Sequence, residues 1–104
     1  AGDRCEARVI QLVFQEAAKR VPVSSTKSMT GHGVTAASAL EAAVCIGALR
    51  AQAIPPTINL EDPDPECDLC HVPRQARPAK LRIVASNSFG FGGNNTMLIL
   101  RRVA

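Results

Sequence analysis

The order of the predicted elements indicates an α/β fold, in which helices pack against strands. Two helical segments alternate with short β-branched or apolar runs, in the order helix, strand, helix, strand, strand. An apolar fraction of 46% suits a globular core and not a disordered chain. At 104 residues the chain forms one domain at most.

The first helix is predicted over residues 6–19, where apolar side chains recur at helical spacing and polar ones occupy the other face. Asp3 is placed to cap its start, and Pro22 ends it. The β-branched stretch over 21–24 then predicts a short strand.

The second helix is predicted over residues 33–50, where nearly every side chain is small or apolar. A helix that is apolar all round is a buried helix, so we expect it in the core. Glu41 stands alone in its middle. It must be paired, because an unpartnered carboxylate in a core is costly.

A proline-rich and acid-rich connection over 55–78 follows, and it is too long for an ordinary loop. We expect an ordered excursion along the surface. Two strands, 81–86 and 96–103, are predicted next, joined by a hairpin loop over 90–95. The apolar run from Met97 to Leu100 is typical of a strand covered on both faces.

Charge and hydropathy exclude several functions. The net charge is only +3, and no aromatic residues are interleaved with the scattered bases, so no nucleic-acid binding is expected. A docking patch for an acidic protein stays open. No stretch approaches a membrane span, and Arg4 and Glu6 exclude a signal peptide, so a cytoplasmic protein without membrane contact is expected. The start at Ala1, without Met, is expected of a segment cut from something longer.

Lys27 and His32 lie five residues apart, beside the predicted start of the second helix. The free N–H groups of a helix start favour a neutral imidazole, which can donate a hydrogen bond to a carbonyl that becomes an oxyanion. Lys27 would add a fixed positive charge, oriented by Glu41. Residue types alone favour a plainer interpretation, a loop lysine and a histidine beside a helix cap.

The segment from Phe89 to Gly93 is a glycine-rich turn that contains two aromatic rings. Gly90, Gly92 and Gly93 let the backbone take positive φ and approach a ligand closely. Their N–H groups can face an oxyanion, and Phe91 can swing between them as a gate. A glycine-rich hairpin with a core phenylalanine explains the same residues equally well.

Two further motifs are weaker. Ser24-x-x-Lys27 fits the Ser-x-x-Lys pattern of penicillin-recognising enzymes, but it follows a strand where that pattern should open a helix. The run from Cys67 to His71 fits a c-type haem attachment pattern, yet nothing indicates an exported protein. Zinc would need more ligands than the sequence offers, so no metal is expected. The thiols could form a redox pair, although ordinary reduced cysteines are favoured.

In this order, the segments resemble the C-terminal part of a β-ketoacyl-[acyl carrier protein] synthase of the elongating synthase II type. The resemblance covers essentially the whole chain, residues 1–104. It is carried by four segments: Ala1-Gly2-Asp3, the Ser-Ser-Thr-Lys-Ser-x-x-Gly-His segment ending at His32, Pro55-Pro56-Thr57-Ile58-Asn59, and Asn87-Ser88-Phe89-Gly90-Phe91-Gly92-Gly93.

The resemblance implies the C-terminal half of a thiolase-like fold, with α/β/α/β/α layers, incomplete in this chain. It implies decarboxylative Claisen condensation of an acyl-enzyme with malonyl-acyl carrier protein, in fatty acid or polyketide synthesis. His32 would then hydrogen-bond the malonyl thioester carbonyl, Lys27 would organise the electrostatics, and Phe91 would be the gate and contribute its N–H to the oxyanion hole. Glu41, Ser86 and Asn87 match positions of a polar network or a structural monovalent cation, and no other cofactor is implied.

The chain also departs from the family. Its helix after Gly31-His32 lacks the glycines of the usual Leu-Gly-Ala-Ala-Gly, and Asn94 stands where the family has Thr, so a divergent member is expected. The family's nucleophilic cysteine and its other catalytic histidine lie upstream, so we expect activity only beside an N-terminal part. The partners implied are that part, an acyl carrier protein and a second synthase subunit in a homodimer or heterodimer.

Two other function classes stay open. A non-catalytic subunit of the chain-length-factor type would keep the fold, although it would not need Lys27, His32 and Phe91. The other class is an electron-transfer haem protein, which the colour of the purified protein would reveal.

Overall fold

The structure, a computed structural model, describes residues 2–103, apart from the side chain of Phe91. Its α-helices in that range are α1 (Gly2–Phe14), α2 (Lys27–Thr30) and α3 (Ala37–Ala51), with short 3-10 turns at Gln15–Lys19, Val34–Ala36 and Phe91–Gly93. Its strands are β1 (Pro22–Val23), β2 (Ala53–Ile54), β3 (Cys70–His71), β4 (Arg77–Pro78), β5 (Ile83–Phe89) and β6 (Asn95–Arg101).

The first helix begins earlier than the sequence predicted. It starts at Gly2, so Asp3 lies in its first turn and the prediction that Asp3 is the cap was wrong. A carboxylate there still faces the positive end of the helix dipole. The α-helix ends at Phe14 because Gln15 takes a positive φ of 53°, and a 3-10 turn continues to Lys19.

The strands form small paired units in this chain. β1 pairs with β3 in parallel, while β2–β4 and β5–β6 are antiparallel. The predicted final hairpin is confirmed, with a register that runs from Ile83 opposite Arg101 to Phe89 opposite Asn95. Its first strand continues three residues beyond the predicted end, into the glycine-rich turn.

The second helix is not buried within this chain, contrary to the prediction. Among the described residues of α3 only Leu49 is buried, and Ile46 is 51% exposed. β6 is equally open, with Ile99 61% exposed. The physical reason is that α3 packs against β5, but no further described layer covers its other sides or the outer face of the hairpin.

The segment Val34–Ala51 is 18 residues long with a mean hydropathy of 1.4, enough to cross a membrane by length and composition. No such stretch was predicted from the sequence. A core helix of a soluble protein meets the same criteria. The ionic partner that Glu41 finds on a neighbouring segment favours a packed helix here.

The excursion over 55–78 is ordered and attached to the rest of the chain, as predicted. Thr57 is one of its attachment points. Its Oγ1 accepts a hydrogen bond from the N–H of Ser25 at 2.8 Å. Its N–H donates to the carbonyl oxygen of Val72 at 2.8 Å, and Val72 is only 2% exposed. The excursion thereby helps to hold the segment that leads into α2.

Gln52 closes α3 and holds the start of the last hairpin. It lies in the left-handed region, with φ 53°. Its amide nitrogen donates to the carbonyl oxygens of Leu49 and Leu81, at 2.6 and 3.0 Å. Its Oε1 accepts from the N–H of Leu81 at 2.8 Å. One side chain thus joins the end of a helix to residues that precede β5.

Candidate functional site

Lys27 is positioned by a tight local fold. It opens the four-residue helix α2, directly after β1 and a turn. Gly31 ends that helix with φ 75°, and its N–H donates to the carbonyl oxygen of Lys27 at 2.9 Å. Since L side chains rarely adopt that φ, a glycine is the favoured residue where the chain turns toward His32.

Lys27, Glu41 and Ser86 form one connected polar cluster from α2, α3 and β5. The Lys27 ammonium forms an ion pair with Oε1 of Glu41. The other carboxylate oxygen, Oε2, accepts a hydrogen bond from Oγ of Ser86 at 3.2 Å. The Glu41 side chain is 17% exposed and that of Lys27 is 37% exposed. The predicted pairing of Glu41 is therefore confirmed, and both of its oxygens are occupied.

His32 is exposed and is oriented by its own backbone. Its Nδ1 accepts a hydrogen bond from the N–H of Val34 at 2.9 Å. An accepting Nδ1 carries no proton, so a neutral His32 ring has its proton on Nε2. His32 therefore presents an N–H donor on the side away from the chain. Such a donor is what the proposed hydrogen bond from a neutral imidazole to a carbonyl needs.

The helix start beside His32 differs from the prediction. The α-helix was expected from residue 33, but Val34–Ala36 is a 3-10 turn and α3 begins at Ala37. Among the described residues, His32 bonds to Val34, two positions along the chain, whereas Lys27 bonds to Glu41 on α3. The structure thus connects Lys27, Glu41 and Ser86, and it gives no contact between His32 and Lys27.

The glycine-rich turn lies at the tip of the β5–β6 hairpin. Gly92 and Gly93 have φ of 80° and 82°, as predicted for turn glycines. The N–H of Gly90 donates to the carbonyl oxygen of Asn94 at 2.6 Å, and this bond closes the turn. Phe89 is 56% exposed. The side chain of Phe91 lies outside the described residues, so its gating role stays a prediction.

Asn87 does not join the cluster that the resemblance implied. Its amide donates to Oε1 of Glu6 on α1 at 3.2 Å, while Ser86 bonds to Glu41. Glu41 and Ser86 thus share one hydrogen-bonded cluster and Asn87 another, and the structural monovalent cation stays a prediction. Glu6 was not predicted from the sequence as a site residue. Its signal was its place one helical turn before the buried Ile10, on the same face of α1.

Two of the four cysteines, Cys45 and Cys67, lie in surroundings that disfavour a thiolate. All four thiols, Cys5, Cys45, Cys67 and Cys70, are free. Burial, followed by the nearby Glu41 carboxylate, raises the pKa of the Cys45 thiol. Partial burial and the carboxylate of Asp64 raise the pKa of Cys67. A raised pKa disfavours the reactive thiolate.

The haem-like run also lacks the arrangement of a metal site. Nε2 of His71 lies 2.8 Å from the carbonyl oxygen of Cys67, so the chain itself occupies that ring nitrogen. Across residues 2–103, apart from the side chain of Phe91, no three His, Cys, Asp or Glu side chains are grouped as metal ligands would be.

Comparison with known proteins gives a consistent assignment. A family profile described as "Beta-ketoacyl synthase, C-terminal domain" matches residues 1–61. The 3-oxoacyl-[acyl-carrier-protein] synthase 2 of Coxiella burnetii is 54% identical over 103 residues, which are 99% of this chain and 25% of that protein. Nodulation protein E of a Rhizobium species is 45% identical over 99% of this chain and 26% of its own length.

Solved structures agree. A ketosynthase chain, from a type II polyketide synthase acyl-carrier protein in complex with its ketosynthase, superposes with a TM-score of 0.91 at 37% identity, over 94% of this chain and 24% of that chain. The ishigamide ketosynthase/chain length factor superposes with a TM-score of 0.90 at 44% identity, over 97% of this chain and 25% of that chain.

The chain spans about a quarter of the length of the curated relatives it matches. The predicted α/β class and the partial thiolase-like fold are confirmed. The chain therefore belongs to the β-ketoacyl synthase family, and it corresponds to the C-terminal part of a synthase of the synthase II type.

Proposed function

We propose that this chain supplies the malonyl side of a condensing active site, in a synthase of fatty acid or polyketide synthesis. The reaction is the decarboxylative Claisen condensation of an acyl-enzyme with malonyl-acyl carrier protein. The nucleophilic cysteine comes from an N-terminal part that these 104 residues do not contain. The observation that carries this proposal is the orientation of His32, whose Nε2–H is left to donate.

The chemical need is for a donor at the malonyl thioester. When the malonyl C–C bond to the carboxylate breaks, CO₂ leaves and its bonding electron pair forms an enolate on the thioester oxygen. A pre-oriented N–H stabilises that charge with no reorganisation at the moment of reaction. His32 supplies the N–H in this scheme, and because a neutral ring suffices, no proton transfer is required of it.

Lys27 adds a fixed positive charge, held by Glu41. Glu41 is mostly buried and is bonded on both oxygens, so the Lys27 ammonium is held in a defined place. A positive charge near the departing carboxylate and the enolate favours binding of malonyl and the formation of negative charge. Lys27 is thus a positioning and electrostatic residue in this scheme.

The turn at Phe89, Gly90, Phe91, Gly92 and Gly93 serves the acyl side. The enolate carbon attacks the acyl thioester of the enzyme, and the carbonyl oxygen becomes an oxyanion until the thiolate leaves. The N–H of Phe91 is proposed as one donor to that oxygen, and its ring as the gate of the acyl channel. The open backbone of the glycines supports both roles.

The proposed partners follow from this reaction. They are the N-terminal part of the synthase, an acyl carrier protein that delivers the malonyl group, and a second synthase subunit. A cytoplasmic location is proposed, without nucleic acid or membrane contact and without a cofactor. A type II polyketide ketosynthase with a similar fold has been solved with its carrier protein, which supports the carrier as partner.

The test is a condensation assay on the synthase that carries this chain, with malonyl-acyl carrier protein and an acyl primer. We expect turnover from the assembled synthase and none from the isolated 104-residue chain. Turnover by the isolated chain would contradict the proposal, because none of its own cysteines lies in a matching nucleophile motif.

A second candidate is a non-catalytic subunit that pairs with an active ketosynthase. It is supported by the similar structure that is named as a ketosynthase/chain length factor. The two candidates differ in the effect of His32→Ala on the assembled protein. In a catalytic chain the variant lowers the rate of malonyl decarboxylation by roughly 10²- to 10³-fold, whereas in a non-catalytic subunit it leaves the rate unchanged.

A further inference from the structure

The run from Cys67 to His71 is the motif that the proposed function does not use. The chain bends at Cys67 and at Leu69. The N–H of Cys67 donates to the carbonyl oxygen of Asp64 at 2.8 Å, and the His71 ring returns to within 2.8 Å of the Cys67 carbonyl oxygen. Cys67 and Cys70 therefore lie on one folded-back turn, and both are half-buried free thiols.

The two thiols have different surroundings. Sγ of Cys70 accepts a hydrogen bond from Nη2 of Arg77 at 3.8 Å, so a guanidinium lies beside a sulfur that could carry negative charge. Cys67 lies near the carboxylates of Asp64, Asp3 and Glu66, which outweigh the opposing charge of the Arg4 guanidinium. Partial burial, then Asp64 and Asp3, raise the pKa of Cys67. Cys70 is thus the better attacking thiol and Cys67 the better second thiol.

We propose that Cys67 and Cys70 form a reversible dithiol–disulfide pair that controls how firmly the Lys27 segment is held. With glutathione disulfide as oxidant, the Cys70 thiolate attacks one glutathione sulfur and releases a glutathione thiolate. The Cys67 thiol then loses its proton to solvent and attacks Sγ of Cys70, which expels the second glutathione. The protein loses two hydrogens, and one glutathione disulfide becomes two glutathione thiols.

A continuous set of contacts leads from the pair to Lys27. Cys70 belongs to β3, where it lies opposite Pro22 of β1, and β1 leads into the Lys27 segment. Thr57 joins the same region, because it binds the N–H of Ser25 through Oγ1 and the carbonyl oxygen of Val72 through its N–H. A disulfide would constrain the turn that leads into Cys70, the first residue of the two-residue strand β3, and we expect this constraint to disturb the strand.

The effect on condensation rests on the proposed function, but the disulfide and its structural effect do not. The experiment therefore treats the assembled synthase with glutathione disulfide and reads out two properties without any activity assay. Peptide mass mapping reports a Cys67–Cys70 link. Hydrogen exchange reports the protection of the amides over residues 22–28.

We expect the link to form in the native protein, to be removed by a dithiol reductant, and to be absent in Cys70→Ser and Cys67→Ser. We expect amide exchange over 22–28 to become roughly tenfold faster on oxidation, as expected when a local hydrogen-bonded unit weakens. Cys5→Ser is the matched control, because it removes an exposed thiol on α1 and should leave both readouts unchanged.

Three results would overturn the proposal: a stable glutathione adduct on Cys70 without an internal link, a link with unchanged exchange over 22–28, or no reaction at either thiol. A failed condensation assay with a normal Cys67–Cys70 link would count against the proposed function alone.

Discussion

His32 depends on a single backbone hydrogen bond for its chemical character. The N–H of Val34 occupies Nδ1, and this leaves Nε2 as the donor of a neutral ring. Val34 itself takes a positive φ of 52°, which is unfavourable for a β-branched residue. The chain thus accepts local strain at the position that orients the imidazole.

The first prediction concerns the donor on His32. In the assembled synthase, His32→Ala should lower malonyl-carrier decarboxylation by roughly 10²- to 10³-fold, the usual loss on removing one oxyanion donor. His32→Gln keeps an amide N–H and should retain more activity than His32→Ala. Release of CO₂ from malonyl-acyl carrier protein is the measurement. Equal rates for the two variants and the native protein would exclude the proposed role.

The second prediction concerns the Lys27–Glu41 pair. Glu41→Gln keeps the size and a polar contact for Ser86 but leaves the Lys27 charge without its partner. The free energy of unfolding should fall by about 1–2 kcal/mol, and not by more, because a third of Lys27 stays solvated. Denaturant unfolding of the assembled synthase measures it.

The matched control is the double variant Lys27→Met with Glu41→Gln. The double variant removes both charges. Its loss of unfolding free energy should therefore be smaller than the sum of the losses in Lys27→Met and in Glu41→Gln. Strict additivity would mean that the ion pair contributes nothing.

At the scale of elements, the excursion over 55–78 supports the segment that leads to Lys27. Thr57 bonds to the N–H of Ser25, just before α2, and to the carbonyl oxygen of Val72 within the excursion. The N–H of Ile58 adds a bond to Oγ of Ser28 at 2.9 Å, within α2. The short helix α2 has no long hydrogen-bond ladder of its own, so these contacts from outside set its position.

The third prediction tests that support. Thr57→Val removes the acceptor for the Ser25 N–H at nearly constant volume and should cost about 1 kcal/mol of stability. It should also speed amide exchange at Ser25. Thr57→Ser retains the hydroxyl and is the matched control. Unchanged exchange at Ser25 in Thr57→Val would show that α2 holds its position without the excursion.

Element types were readable from the sequence, while their ends were not. The 3.6-residue period of the first helix and the glycine turn before β6 predicted the right elements. The start at Gly2 and the 3-10 turn at Val34–Ala36 carry no strong capping signal, so local propensity could not locate them. In the site, a single carboxylate within an apolar helix predicted that Glu41 would be paired, as it is with Lys27. The Asn87–Glu6 bond joins residues 81 positions apart, and only the tertiary fold brings them together.

At the scale of the whole molecule, much apolar surface has no cover in this chain. Large side chains on each main element are exposed, including Leu12 at 64%, Ile46 at 51% and Ile83 at 61%. The strands β5 and β6 pair with each other, so each also has an edge without a described partner strand. Apolar composition predicted a buried helix, which this chain does not provide, because composition cannot say which chain segment would cover an apolar face.

The fourth prediction follows from those faces. The isolated 104-residue chain should aggregate or bind an apolar dye strongly, because open strand edges and apolar patches associate with other copies. Co-expression with the N-terminal part should suppress both effects. Size-exclusion chromatography and dye fluorescence measure them. A soluble monomer that melts cooperatively would contradict this expectation.

Gln52 has a consequence for how this region can change in length. Its side chain bonds to Leu49 and to Leu81, which lies 29 positions further along the chain than Gln52. Its backbone carbonyl oxygen accepts a hydrogen bond from the N–H of Ala79 at 3.0 Å. The two ends of the intervening segment are therefore fastened together independently of what lies between them. Insertions or deletions near its exposed tip should leave the register between α3 and β5 intact. A change of length in this outer loop should therefore leave the polar contact between Glu41 and Ser86 aligned.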